Sequence, residues 1–231
     1  MIEGQKLIRE AVENGAVLRS VFIREDYDRT ELPFADSMEV PVYVLSKSLF
    51  DRIADTETPQ GIAAVSEKPR WDEESFFAGT GSMIVLDRLQ DPGNIGTIIR
   101  TADAAGFRGI LVMKGTADLF SPKTVRAAAG SLYRVKLFYA ENPKEAAQLV
   151  RAHGMRLICT SPHAEKLFYD ADMSEGAALV IGNEANGVCD EFLSLSEINV
   201  RLPMEGSIES LNAAVAASVV MYEALRQRHM K

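Results

Sequence analysis

From Gly81 onward, short continuous apolar runs alternate with stretches of helical spacing, and this alternation constrains the fold more than any other feature of the 231 residues. Strands are expected at Met83–Asp87, Gly109–Met113, 135–139, Arg156–Thr160, 178–181 and 199–202. Helices are expected at 95–105, 122–129, Pro143–Ala152 and 209–228. A strand with one wet face alternates apolar and polar residues, whereas one buried on both faces reads as an unbroken apolar run. Such runs linked by helices indicate an α/β domain built on a largely parallel sheet. Pro122 at the start of one helix and Gly130 just past its end follow the usual asymmetry of helix termini.

The first eighty residues read differently. Leu7, Ile8, Ala11 and Val12 form one stripe of a helix over 2–13, ended by Asn14-Gly15. Short strands follow at 17–24, Val42–Leu45 and 62–65, with Ser46 placed to cap a helix carrying Leu49, Phe50 and Ile53. Residues 67–80 are polar, contain Pro and Gly, and lack periodicity, so they read as a linker, with Trp71, Phe76 and Phe77 packed onto something. The chain therefore divides into a small α/β module at 1–66, a linker at 67–80 and the parallel-sheet domain at 81–231.

No apolar run approaches the ~20 residues of a membrane span, and the amino-terminal residues lack the layout of a secretion signal. Cys159 and Cys189 stand apart with no metal-ligand spacing, so neither a disulfide scaffold nor a metal is expected. The expected location is cytoplasmic. The net charge of −8 argues against a nucleic-acid partner, but the total hides a division. Residues 1–80 carry 9 Lys/Arg against 16 Asp/Glu, whereas 100–136 carry seven cations against two anions. Phosphate binding follows the local field, and within this stretch Lys123, Arg126 and Arg134 are the candidate phosphate contacts.

Three segments carry polar residues where an α/β sheet places its ligands. In Leu86-Asp87-Arg88-Leu89-Gln90-Asp91-Pro92-Gly93-Asn94-Ile95-Gly96 a strand enters a helix, and Arg100 lies less than two turns beyond Asn94. Asn94 is either a helix cap or a site residue. In Ile181-Gly182-Asn183-Glu184-Ala185-Asn186-Gly187 a strand opens into a loop whose glycines allow close approach to the backbone. In Leu202-Pro203-Met204 through Ser210-Leu211-Asn212 a strand breaks at proline before an Ala-rich helix. No glycine fingerprint follows a strand, so a dinucleotide-binding domain is unsupported. His153, His163 and His229 are scattered and read as surface or structural residues.

Taken in order, these segments resemble the SpoU/TrmH family of RNA ribose 2′-O-methyltransferases, of the SPOUT class: Asn94-Ile95-Gly96 to Arg100, Ile181-Gly182-Asn183-Glu184 to Gly187, and Leu202-Pro203-Met204 to Ser210-Leu211-Asn212 and Ala216. Ile2-Glu3-Gly4 and Thr58-Pro59-Gln60-Gly61 resemble that family's smaller N-terminal substrate-binding domain. The chain begins at this segment without the basic arm that such relatives carry before it; either the arm has been trimmed or this member lacks it. The resemblance implies a trefoil-knotted C-terminal domain, dimeric, with two active sites near the interface. It implies S-adenosyl-L-methionine held by Thr160, Ile181, Gly182, Asn183, Gly187, Leu202, Met204 and Leu211. It implies a catalytic set of Asn94, Arg100, Glu184, Ser210 and Asn212 acting on RNA, ribosomal RNA being favoured over tRNA. Glu184 is expected to anchor its loop through an arginine of its own or the partner subunit. A non-catalytic RNA-binding module is the alternative, disfavoured by the intact polar set.

Overall fold

The computed structural model describes residues 1–32, 39–208 and 210–230. Its first sheet contains β1 (Ile2–Glu3), β2 (Leu18–Arg24), β3 (Val42–Leu45) and β4 (Ile62–Ser66) in the order β1-β4-β2-β3, with helices α1 (Gln5–Glu13) and α2 (Lys47–Ile53). Only β2 and β3 run parallel. Ile2 and Glu3 are a strand rather than the first turn of the expected helix. Gly4, at φ +96°, turns the chain between the two elements, and the Gln60 side chain accepts from Gln5 N at 3.0 Å. The helix is thus started by a residue 55 positions away, which local periodicity does not reveal. Ser46 occupies the cap position of α2 without capping it; Glu25 Oε1 takes the Lys47 N–H at 3.0 Å instead.

The stretch 67–80 contains a helix, α3 (Glu73–Phe77), capped by Asp72 and burying Phe76 and Phe77. Five residues are too few to show a period. Phe76 stacks on Phe138 at 5.4 Å, and a Cβ at Gly109 would come within 2.7 Å of its ring.

The second sheet joins β5 (Met83–Asp87), β6 (Gly109–Met113), β7 (Lys136–Ala140), β8 (Arg156–Thr160), β9 (Lys166–Leu167), β10 (Ala177–Gly182) and β11 (Ile198–Arg201) in the order β7-β6-β5-β10-β8-β11-β9. Every pairing is parallel. The helices are α4 (Pro92–Ala104), α5 (Pro122–Ala128), α6 (Pro143–Ala152), α7 (Asp190–Leu195) and α8 (Ala213–His229). The apolar runs have the predicted cause: Ile84 and Leu86 of β5 join the core under α4 and α8, while Met83 and Val85 join the opposite core with α6 and α7. The two-residue β9 and the six-residue α7 are the elements that the pattern did not reveal. Glu209, the expected start of the last helix, lies outside the described residues, and α8 begins at Ala213.

From β11, two strands beyond β10, the chain returns across the sheet so that α8 lies against α4 and the Arg228 guanidinium holds the Ala105 and Gly106 carbonyls. The first module sits against α5 and the turn after it: Ile8 and Val21 share one core with Leu132 and Tyr133, Ser66 Oγ lies 2.8 Å from the Tyr133 hydroxyl, and Arg126 pairs with Asp55.

Candidate active site

Because β5 and β10 are neighbours with Gly182 opposite Asp87, the loops leaving their carboxyl ends begin side by side. Gly182 is required there by close packing, since a Cβ would overlap the backbone of Gly187 and Val188. The loop closes on itself through Asn183 N to Gly187 O (3.0 Å) and the reverse bond (2.8 Å), while Asn183 Oδ1 accepts from Ala185 N and Asn186 N. This tight ring aims Glu184 at the start of α4.

Asp91, not Asn94, caps α4: its Oδ1 accepts from Asn94 N at 2.8 Å, with Pro92 in the first turn. Proline directly after an acid is a readable start signal. The Asn94 side chain is left free for other work. Glu184 Oε2 accepts from Gln90 N (3.1 Å), and Oε1 accepts from Asp91 N (3.0 Å) and Asn94 Nδ2 (3.1 Å). Its anchors are therefore backbone N–H groups and an amide, and no arginine of the same chain holds it among the described residues. Desolvation pushes the carboxyl up, but the bonds from Asn94, Gln90, Asp91 and its own backbone outweigh it and leave the pKa below its ordinary value.

Asn94 continues the chain of bonds. An ionised carboxylate only accepts, so Asn94 must present its amide N–H to Glu184 and its Oδ1 to the other side. There Asn212 Nδ2 donates at 2.9 Å, and Asn212 Oδ1 caps α8 by accepting from Ala214 N (2.9 Å) and Val215 N (3.2 Å). One directed relay, Asn212 to Asn94 to Glu184, thus ties together the three segments picked out in the sequence. Arg100 projects from α4 as an exposed side chain with no hydrogen bond or ion pair among the described residues, and Ser210 is likewise exposed and unbonded. The structure brings Asn94, Glu184 and Asn212 into contact and leaves Arg100 and Ser210 open.

The proposed cofactor residues edge the same end of the sheet. Thr160, at the end of β8, donates from Oγ1 to Val180 O at 3.0 Å. Ile181 is buried; Leu202, Met204 and Leu211 are half-buried. Between Met204 and Ser210, the described backbone N–H groups donate to no other described residue. Unpaired backbone donors beside half-buried apolar side chains and a glycine-lined loop suit a ligand with both polar and apolar parts, such as S-adenosylmethionine.

The basic stretch is less available than its charge implies. Lys123 pairs with Asp91 (3.7 Å), Arg126 with Asp55, Arg134 with Asp103 (2.8 Å) and Lys114 with Glu141 (2.6 Å). Arg108 and Lys136 hold carbonyls of residues 75–79. Three of the four acids come from outside 100–136, which is why counting charge along the chain missed them. Of the seven cations, Arg100 alone has no such partner among the described residues.

Residues 81–222 match the model of the SpoU rRNA Methylase family. The chain belongs to that family. Residues 1–64 match the MRM3-like substrate binding domain. Among SpoU relatives, the chain is 36% identical over 222 residues to the 23S rRNA (guanosine(2553)-2′-O)-methyltransferase RlmP of Bacillus subtilis, covering 96% of this chain and 86% of that protein. It is 32% identical over 237 residues to the 23S rRNA (uridine(2479)-2′-O)-methyltransferase of Streptomyces viridochromogenes, covering 99% and 83%. The crystal structure of the SpoU methyltransferase AviRb from Streptomyces viridochromogenes, in complex with AdoMet, superposes with a TM-score of 0.90 at 32% identity, covering 99% of this chain and 89% of that one.

Proposed function

We propose that this SpoU-family enzyme transfers a methyl group from S-adenosylmethionine to a ribose 2′-hydroxyl of 23S ribosomal RNA. The Asn212–Asn94–Glu184 relay carries the reading, because it assembles the three family segments into one polar site at the start of the helix that also carries the open Arg100. The two relatives described above, aligned over nearly the whole chain with the first module included, are named as 23S rRNA enzymes, which favours ribosomal RNA over tRNA.

When bound, S-adenosylmethionine supplies a methyl group made electrophilic by its sulfonium. Thr160, Ile181, Gly182, Asn183, Gly187, Leu202, Met204 and Leu211 would hold it. A guanidinium is a donor and a poor base, so Arg100 binds the RNA phosphate and orients the 2′-oxygen rather than removing the proton. Glu184 is a poor base as well: both oxygens are engaged and its pKa is lowered. The proton passes to the RNA phosphate or to water, and the chain contributes by positioning. Ser210 and Asn212 orient the ribose from the start of α8.

We place the working form as a homodimer. Val215, Val219 and Tyr222 make an exposed stripe along α8, at 49%, 39% and 51% exposure. Ser218, between them, meets Thr101 of α4 at 3.2 Å, so a partner on this stripe lies next to the helix that carries Arg100. No helix among the described residues is long and apolar enough to cross a membrane; we infer a cytoplasmic enzyme from the proposed ribosomal RNA substrate. Mapping 2′-O-methylation in RNA from cells with and without the gene tests the reading. Loss of one mark in 23S rRNA supports it; loss only in tRNA, or no change, refutes it.

A further inference from the structure

Arg88, immediately after β5, has φ +58°, and with Ala129 it is one of two described non-glycine residues in the left-handed region. A bulky side chain rarely adopts that conformation unless the surroundings impose it. Here the surroundings are explicit. The guanidinium grips the buried Asp87 with two bonds, Nε to Oδ1 at 2.8 Å and a terminal N–H to Oδ2 at 3.2 Å. The aliphatic stem lies over Gly115, where an added Cβ would meet Arg88 Cγ at 3.3 Å. The Arg88 carbonyl accepts from Asn183 Nδ2 (2.9 Å) and Gln90 Nε2 (3.0 Å), and Asp87 Oδ2 accepts from Cys189 N (2.8 Å). Two consecutive residues therefore fasten both ends of the Glu184 loop: Arg88 its entry at Asn183, and Asp87 its exit at Cys189.

We propose that Asp87 and Arg88 are positioning residues for methyl transfer: their ion pair holds Arg88 in the left-handed conformation, and the carbonyl so presented fixes the loop that receives the cofactor. This rests on the cofactor reading given above. The competing role for Arg88 is direct, its half-exposed guanidinium meeting an RNA phosphate. The two roles differ in what glycine can rescue. Arg88→Ala removes the grip and keeps the strain, whereas Arg88→Gly removes both.

The test uses the full chain with S-adenosylhomocysteine as probe, measuring its Kd by calorimetry and, without ligand, amide hydrogen exchange in the peptide 183–190. Arg88→Ala is expected to weaken binding by at least about fivefold, the scale of freeing one strained residue, and to speed exchange in that peptide. Arg88→Gly should recover at least half of both effects on a logarithmic scale. Asp87→Asn, which keeps an acceptor for Cys189 and loses the charge, should resemble Arg88→Ala. Wild-type exchange and affinity in Arg88→Ala would overturn the proposal, as would Arg88→Gly no better than Arg88→Ala. If Arg88→Ala does not fold, Arg88→Gly must still exchange more slowly than Asp87→Asn in the loop peptide, and the opposite order refutes the idea. Wild-type protein that fails to bind S-adenosylhomocysteine while the exchange pattern holds would sink the cofactor reading alone.

Discussion

Replacing Glu184 by glutamine probes the relay at its terminus with almost no change of shape. The carboxylate accepts three bonds, from Gln90 N, Asp91 N and Asn94 Nδ2, at 3.1, 3.0 and 3.1 Å. Glutamine keeps one accepting oxygen and turns the other into a donor that faces an N–H. One bond to a charged acceptor is lost, worth about 1.5–3 kcal/mol, and the others fall to neutral strength. Glu184 is exposed at the loop surface, so water replaces part of what is lost, and a net cost of about 2 kcal/mol is a fair scale. If the freed loop must be re-seated before ligand binds, that becomes a loss of up to about thirtyfold in S-adenosylhomocysteine affinity at 1.4 kcal/mol per factor of ten. Calorimetric titration of both proteins reads this directly. Carried in full by the folded state, that cost should lower the midpoint of global unfolding by about 4–8 °C in a chain of this size. The acid dependence carries a sign. Because the folded pKa of Glu184 lies below its ordinary 4.5, its contribution is complete above that value and fades as pH falls through the lower folded pKa. The glutamine variant should lack that component of acid sensitivity. Cofactor affinity and turnover within twofold of wild type would refute the claim that the relay sets the site.

Arg100→Ala should lower turnover at least about a hundredfold, the scale of losing an orienting or charge-stabilising group, and change cofactor affinity by less than about threefold; near-normal methylation would remove Arg100 from the site. Val219→Glu on the exposed stripe of α8 should give a monomer by light scattering, and a persisting dimer would place the interface elsewhere. Arg126→Ala and Asp55→Ala, taken as a double-mutant cycle in thermal unfolding, should show a coupling below about 1 kcal/mol, as exposed pairs do. Lys123→Ala should weaken RNA binding and lower its salt dependence if it leaves Asp91 for a phosphate; an unchanged salt slope would keep it on the protein.

Most of the second domain was legible in the sequence because its strands are buried on both faces, and double burial leaves continuous apolar runs such as Met83–Asp87 that need no partner to be recognised. Asn94, Glu184 and Asn212 were legible as a set through the resemblance of their three segments to one family. Short elements were not: α3 and α7 hold five and six residues, too few to carry a period, and β9 is only a pair of residues on the sheet edge.

What only the tertiary structure decided is who bonds to whom. Glu184 lies more than ninety residues from Gln90 and Asp91, and its anchors are backbone N–H groups, which every residue but proline has and no sequence marks. The cap of α1 comes from Gln60, and Arg126 meets Asp55. Arg88 takes a left-handed backbone without being glycine, because Asp87 and the packing around Gly115 impose it. Burial and periodicity are properties of consecutive residues and can be read in one dimension. Hydrogen bonds and ion pairs depend on distances of about 3 Å between atoms, and only the folded chain sets those distances.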